Sequence, residues 1–182
     1  ALMSGEIRII GGQWKRTRLA VPDKPGLRPT PDRVRETLFN WLGQSLQGWS
    51  CVDAFAGTGA LGLEAASRGA AQVQLVEQDA ALVKALQATV QRLRATEQVS
   101  VRRGDGLAWL RGLNASRAAD RLCLLLGAGD QLGDLAQQGE ILGDQFGHGA
   151  LRLLASVQFI DQHTMGKAQL LTDLRAGVLV VE

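Results

Sequence analysis

The feature that most constrains this chain is a glycine loop set between a strand and a helix. Ser50 to Phe55 reads as an apolar strand, Asp53-Ala54-Phe55-Ala56-Gly57-Thr58-Gly59-Ala60-Leu61-Gly62 turns out of it, and Ala60 to Ser67 reads as a helix. The alternation then continues. Gln72 to Val76 is a strand, Asp79 to Leu93 a helix with Leu82, Leu86, Val90 and Leu93 on one face, Val99 to Arg102 a strand, and Gly106 to Arg111 the start of another helix. Strands and helices in turn at this spacing predict an α/β fold, a parallel sheet covered by helices on both faces.

The loop also predicts chemistry. Glycines permit a tight turn and a close approach of backbone to ligand, and a helix start offers free N–H groups and the positive end of a dipole. Glu77 closes the second strand about 20 residues on, the spacing of an acceptor for ribose hydroxyls. Together these read as a nucleotide-type cofactor site. The bare spacing Gly57-x-Gly59-x-x-Gly62 also fits a dinucleotide fingerprint. Two details favour S-adenosylmethionine over NAD. Asp53 stands at the strand end, where it can meet a cationic amino group that a dinucleotide lacks, and Arg103-Gly104-Asp105-Gly106 offers a second acidic residue near an adenine edge.

Residues 1–29 read as a basic arm ahead of a main domain over 30–182. Ile7, Ile9 and Ile10 lead into a Gly11-Gly12 turn, and Trp14 to Val21 can return as a second strand, which makes a small hairpin. Arg8, Lys15, Arg16, Arg18, Lys24, Arg28, Arg33 and Arg35 cluster here, opposed only by Glu6, Asp23 and Asp32 in the first 35 residues. Such a cluster is either a solvated face or a phosphate-contacting surface, since lysine and arginine displace counterions from a nucleic-acid backbone. A helix is predicted from an N-cap at Thr30, with Pro31 at its first position. Val34, Leu38, Trp41, Leu42 and Leu46 recur at helical spacing, and Gly48 is the expected stop.

Composition bounds the rest. The 182 residues, 46% hydrophobic and 21% charged with a net charge of +2, suit one globular domain and do not by bulk charge announce nucleic acid. No apolar run reaches the roughly 18 residues of a membrane helix, and Ala1 to Ile10 lacks the basic-then-apolar order of a signal peptide. Cys51 and Cys123 form no close metal pair in the sequence and no disulfide framework is expected, so a reducing cytoplasm is the expected location. His148 and His163 have no ligand-spaced neighbours, so no metal is expected, and a monomer is the simpler expectation.

A family resemblance lies in two further stretches. Arg28-Pro29-Thr30-Pro31-Asp32-Arg33-Val34-Arg35-Glu36-Thr37-Leu38-Phe39-Asn40-Trp41, with Ile9-Ile10-Gly11-Gly12-Gln13-Trp14-Lys15-Arg16 upstream, resembles the RsmD family of bacterial ribosomal RNA methyltransferases. The stretch from Asp53 to Ala65 is similar to that family's cofactor loop, and Val76-Glu77-Gln78-Asp79 to its second-strand acidic motif. The resemblance implies a class I, Rossmann-like methyltransferase sheet of seven strands with the last reversed. It implies S-adenosylmethionine as cofactor, and methylation of a guanine 2-amino group in small-subunit ribosomal RNA, free or in its assembled particle. It assigns the cofactor to Thr30, Asp53, Phe55, Gly57, Gly59, Glu77, Gln78, Asp105 and Gly106, with Glu77 on the ribose and Asp105 on the adenine. It assigns RNA to the hairpin and the helix start, through Arg8, Lys15, Arg16, Arg18, Arg28 and Arg33.

The chain departs from that family in one respect. The family carries an Asp-Pro-Pro-Phe-type motif after its fourth strand, whose oxygens hold the exocyclic amine and whose aromatic ring stacks on the base. All four prolines here, Pro22, Pro25, Pro29 and Pro31, precede the sheet. Two placements of the fourth strand are open. Leu122 to Leu126 is followed by Gly127-Ala128-Gly129-Asp130, and Val157 to Ile160 by Asp161-Gln162-His163-Thr164. Asp130 and Asp161 are therefore the candidate catalytic residues. The alternative is a catalytically impaired module that binds cofactor and RNA. Gly177 to Glu182 resembles the fifth strand, in which case the last two strands of the fold are absent from this chain.

Overall fold

The computed structural model describes residues 3–27, 29–30, 32–111, 122–125, 151–154 and 178–181. A two-stranded antiparallel hairpin comes first, β1 (Met3–Arg8) and β2 (Arg18–Pro22), paired with Glu6 opposite Ala20 and Arg8 opposite Arg18. Helix α1 (Asp32–Leu42) follows. The main sheet is built from β3 (Ser50–Asp53), β4 (Gln72–Glu77), β5 (Val99–Arg103), β6 (Leu122–Leu125), β7 (Leu151–Leu154) and β8 (Val178–Val181). Helices α2 (Ala60–Ser67), α3 (Ala80–Arg92) and α4 (Gly106–Arg111) lie between its first four strands in the chain. The strand order is β5-β4-β3-β6-β8-β7.

β5, β4, β3 and β6 run parallel. The crossovers through α2 and α3 step outward in one direction, and the return through α4 to β6 steps the other way. The reversal of direction falls at β3, so the glycine loop leaves the sheet at its topological switch point, where open α/β sheets take their ligands. Leu125 of β6 pairs with Asp53 of β3, which settles Leu122–Leu125 as the strand beside the loop. Val157 to Ile160 lies outside the described residues.

β8 differs from expectation. It runs antiparallel to β6, with Leu122 opposite Val181, and β7 runs antiparallel to β8. A fifth strand of the family's kind is parallel. Four consecutive apolar residues read alike in either direction, so the local pattern carries no strand polarity. Helix α1 also ends earlier than its apolar spacing predicts. Gly43 takes φ +102° directly after Leu42, and Leu46 reaches the core from the following loop, where its N–H donates to the Arg68 carbonyl at 2.9 Å.

Helix α2 is buried on all sides. It packs on β3 and β4 while the hairpin and α1 close over it, and Ile9 and Leu19 of the hairpin share one core cluster with Leu38, Phe39, Leu63, Leu75 and Leu86. Gly62 lets α2 lie close to the sheet, since a methyl there would collide with the Leu75 side chain.

Candidate functional site

Two carboxylates organise the end of the sheet that carries the glycine loop. Asp53 ends β3 and is 1% exposed. Its Oδ2 accepts the Gly62 N–H at 3.0 Å, and its Oδ1 is buried with no hydrogen-bond partner among the described residues. Burial pushes its carboxyl from 3.8 up to about 7, against the pull of the Gly62 and Phe55 N–H donors and with help from the Glu77 charge. Glu77 ends β4, half-buried. Its Oε2 accepts the Gly57 N–H at 2.8 Å and its Oε1 the Asp79 N–H at 2.9 Å. A carboxylate oxygen has room for a second donor, so this group can hold the loop and a vicinal diol together.

The loop turns because Gly57 and Gly59 take φ of +55° and +80°, a region that side chains with a Cβ rarely enter. Gly59 also lies so close to Leu63 and Leu86 that a methyl would stand 2.8 Å from the Leu86 Cδ2. Gly106 has a packing reason instead, since a methyl there would meet the Ala54 carbonyl and, at 2.8 Å, the Phe55 ring. The start of α4 is thereby seated on the exit of β3.

Asp53, Phe55, Gly57, Gly59, Glu77 and Gly106 are thus brought together. Asp105 is exposed, and its Oδ1 lies 3.4 Å from the Ala108 N–H in the first turn of α4. Gln78 is exposed, with its carbonyl accepting from Arg103 at 3.3 Å. Thr30 is buried, and its carbonyl accepts from Arg35 Nε at 3.1 Å. Asp130 and Asp161 lie outside the described residues. A bare glycine turn, a diol-competent carboxylate and a buried orphan carboxylate oxygen fit a nucleoside that carries a cationic group.

The basic cluster divides in two. Arg8, Lys15, Arg16, Arg18 and Arg33 are exposed, and Arg18 pairs with Glu6 at 3.2 Å. Arg28 lies outside the described residues. Arg35 does not belong to that surface, because its side chain is fully buried. Its guanidinium meets Glu64 Oε2 at 3.2 Å, the Arg8 carbonyl at 3.0 Å and the Asp32 carboxylate. Lys24 is likewise engaged, by Asp79 at 2.6 Å.

Glu64, Ser67 and Arg68 are not among the residues expected from sequence, yet together they make the socket for the hairpin loop. Glu64 accepts the N–H groups of Ile10 and Gly11, each at 2.9 Å, and Arg68 Nε at 3.0 Å. Ser67 Oγ accepts the Trp14 N–H at 3.0 Å and donates to the Gly11 carbonyl at 2.6 Å. Gly12 (φ +77°) lies against the Ser67 carbonyl with no room for a Cβ. The i and i+4 spacing of Glu64 and Arg68 on a helix is the one local signal of this socket. The N-end of α2 thus carries the glycine loop and its C-end carries the hairpin, about 12 Å apart at 1.5 Å per residue.

These features define an α/β protein whose glycine loop and strand-end carboxylates lie at the switch point of a mostly parallel sheet, with a basic hairpin fixed to the helix that follows the loop. The family model named Conserved hypothetical protein 95 matches residues 7–124, and the chain belongs to that family, in which the RsmD-type proteins fall. The Ribosomal RNA small subunit methyltransferase D of Escherichia coli (strain K12) is 59% identical over 92 residues, 50% of this chain and 46% of that protein. Its namesake in Haemophilus influenzae is 44% identical over 108 residues, 59% of this chain and 56% of the other. The chain spans about half the length of these curated relatives. The solved structure of the Escherichia coli protein yhhF matches with a TM-score of 0.56 at 37% identity, covering 68% of this chain and 81% of that one. A solved Haemophilus influenzae structure matches with a TM-score of 0.51 at 27% identity, covering 69% and 84%. The sheet is of the class I methyltransferase type.

Proposed function

We propose that this protein is an S-adenosylmethionine-dependent methyltransferase of the cytoplasm whose substrate is the 2-amino group of a guanine in small-subunit ribosomal RNA. The observation that carries the reading is the Gly57–Glu77 contact at the switch point, a turned backbone gripped by the acceptor that would also take the ribose diol. The relatives' shared name supports RNA as the substrate class. When bound, S-adenosylmethionine supplies a methyl group on a sulfonium, which the guanine nitrogen takes with its lone pair while sulfur keeps the bonding electrons and the nitrogen then sheds a proton.

The chain's own residues bind and orient. Glu77 holds the ribose hydroxyls, Phe55 and Gly106 form the wall beside the loop, and Asp105 meets the adenine edge. Asp53 answers the cationic end of the ligand through Oδ1. Arg8, Lys15, Arg16, Arg18, Arg28 and Arg33 neutralise phosphates. The target base must leave its stack to enter such a pocket, and holding the amine in line with the methyl is where most of the rate arises. Asp130 and Asp161 are the candidate acceptors for the amine hydrogens.

The test is transfer of a labelled methyl group from S-adenosylmethionine to small ribosomal particles, or their RNA, lacking the modification. Incorporation that disappears in Asp130→Ala or Asp161→Ala assigns the acceptor. No incorporation with cofactor binding intact makes the chain a binding module and overturns the catalytic reading.

A further inference from the structure

Just after the hairpin, Lys24-Pro25-Gly26-Leu27 forms a tight turn. The Leu27 N–H donates to the Lys24 carbonyl at 3.1 Å, with Gly26 at φ +79°, and proline followed by a left-handed glycine is the pattern of a type II turn. One end of this turn reaches Asp79 beyond β4 and the other reaches the glycine loop. Lys24 Nζ lies 2.6 Å from Asp79 Oδ2. Leu27 Cδ1 lies so close to Gly57 that a methyl added there would stand 3.3 Å away.

These contacts close a ring. Asp79 donates its N–H to Glu77 Oε1 at 2.9 Å while its own Oδ1 caps α3 through Ala81 and Leu82. Glu77 Oε2 takes the Gly57 N–H. Leu27 abuts Gly57, and the turn leads back to Lys24. Every member of the ring outside the turn is either an expected ligand contact or one residue from Gln78. The Lys24–Asp79 pair is about a third exposed on each side, and exposed pairs contribute little to global stability. What the ring joins is Gly57 and Glu77, the two partners of the loop contact.

We propose that Lys24 and Leu27 are positioning residues of the cofactor site: the turn braces the glycine loop against the end of β4 and holds Gly57 and Glu77 in their ligand-ready arrangement. The effect on ligand rests on the methyltransferase reading, whereas the effect on the loop does not. A loop held in its bound shape binds more tightly because less ordering is left for the ligand to impose.

The experiment compares the full chain with Lys24→Met, Lys24→Arg and Leu27→Ala. Calorimetry measures S-adenosylhomocysteine affinity at low and high salt, and hydrogen exchange follows the amides of residues 57–59 without ligand. Lys24→Met and Leu27→Ala are expected to weaken binding by about five-fold or more and to speed exchange in the loop, with the unfolding midpoint nearly unchanged. Lys24→Arg restores affinity, and the part of the salt dependence due to the ion pair vanishes in Lys24→Met. Affinities within about two-fold of the parent in both weakened variants overturn the proposal. If the parent itself does not bind, the methyltransferase reading falls, and exchange alone judges the brace: faster exchange in Leu27→Ala upholds it, and unchanged exchange overturns it.

Discussion

Arg35 Nη1 and Glu64 Oε2 lie 3.2 Å apart, both side chains fully buried, and between them they tie four segments of the chain together. Arg35 stands on α1 and also binds the carbonyls of Arg8 and Thr30. Glu64 stands on α2 and also binds the hairpin loop and Arg68, whose guanidinium lies 4.9 Å from the Phe39 ring centroid. Two buried cations share one buried carboxylate, so the cluster tolerates no missing member. Glu64→Gln takes from Arg68 its carboxylate, leaves Arg35 with the exposed Asp32 carboxylate alone, and turns one acceptor into a donor facing N–H groups. Equilibrium urea unfolding should show a loss of about 3–5 kcal/mol, and a loss under about 1 kcal/mol would refute the pairing.

The buried Asp53 carboxyl sets a pH dependence. Its folded value of about 7 stands above the 3.8 of the unfolded chain. Between those limits the folded protein keeps a proton that the unfolded chain has released, so this residue's contribution to stability is full below about pH 4, falls as pH rises, and levels off above about 7. A tenfold change in proton affinity is worth about 1.4 kcal/mol, which makes the whole contribution a few kcal/mol at most. Asp79 is displaced the other way, first by the Lys24 hydrogen bond, and its contribution is lost only below its ordinary 3.8. The two windows do not overlap. Urea midpoints for the parent and Asp53→Asn should therefore diverge between about pH 4 and 7, the parent showing the steeper decline.

Gly12 and Gly26 separate a docking requirement from a backbone one. Both take φ near +80°, but a Cβ at Gly12 meets the Ser67 carbonyl while one at Gly26 meets nothing. Gly26→Ala should cost about 1 kcal/mol, the backbone penalty alone. Gly12→Ala should cost about 3 kcal/mol or more, because the hairpin loop must lift off α2. Thermal or urea unfolding of the two variants checks the contrast, and equal losses would mean that the hairpin is not docked on α2.

The exposed basic residues predict a salt slope. RNA affinity should fall linearly on a logarithmic salt scale, and Lys15→Ala or Arg8→Ala should each lower the slope by about 1 without changing the unfolding midpoint. Filter binding across a salt series reads this directly, and a slope unaltered by both variants would remove the hairpin from the RNA interface.

Much of the sheet domain is legible locally. Helix α2 runs from Ala60 to Ser67 as predicted, and α3 begins after the Asp79 cap because a short acceptor before an apolar helical repeat is a strong signal. The hairpin is also visible in the sequence, but its second strand begins at Arg18 and not at Trp14, because the chain turns again at Trp14, whose carbonyl accepts the Thr17 N–H at 2.9 Å. The end of α1 is not, because Leu46 continues the helical spacing by coincidence while Gly43 breaks the backbone. The second edge of the sheet is not either. Leu151–Leu154 joins it with no alternation to announce a strand, and Val178–Val181 runs opposite to expectation, since short apolar runs encode burial without polarity.

The sequence by itself determined the alternation of elements, the glycine loop and the carboxylates at the strand ends, because those depend on residues near one another in the chain. Only the tertiary structure decided which charges face solvent. Arg35 reads as one more cation of a basic arm until Glu64, 29 residues away, is folded against it. Lys24 reads the same way until Asp79, 55 residues on, takes its ammonium. A charge is buried or displayed according to what the fold brings beside it, and the cost of leaving it buried alone is large enough that the partner, not the local pattern, settles its place.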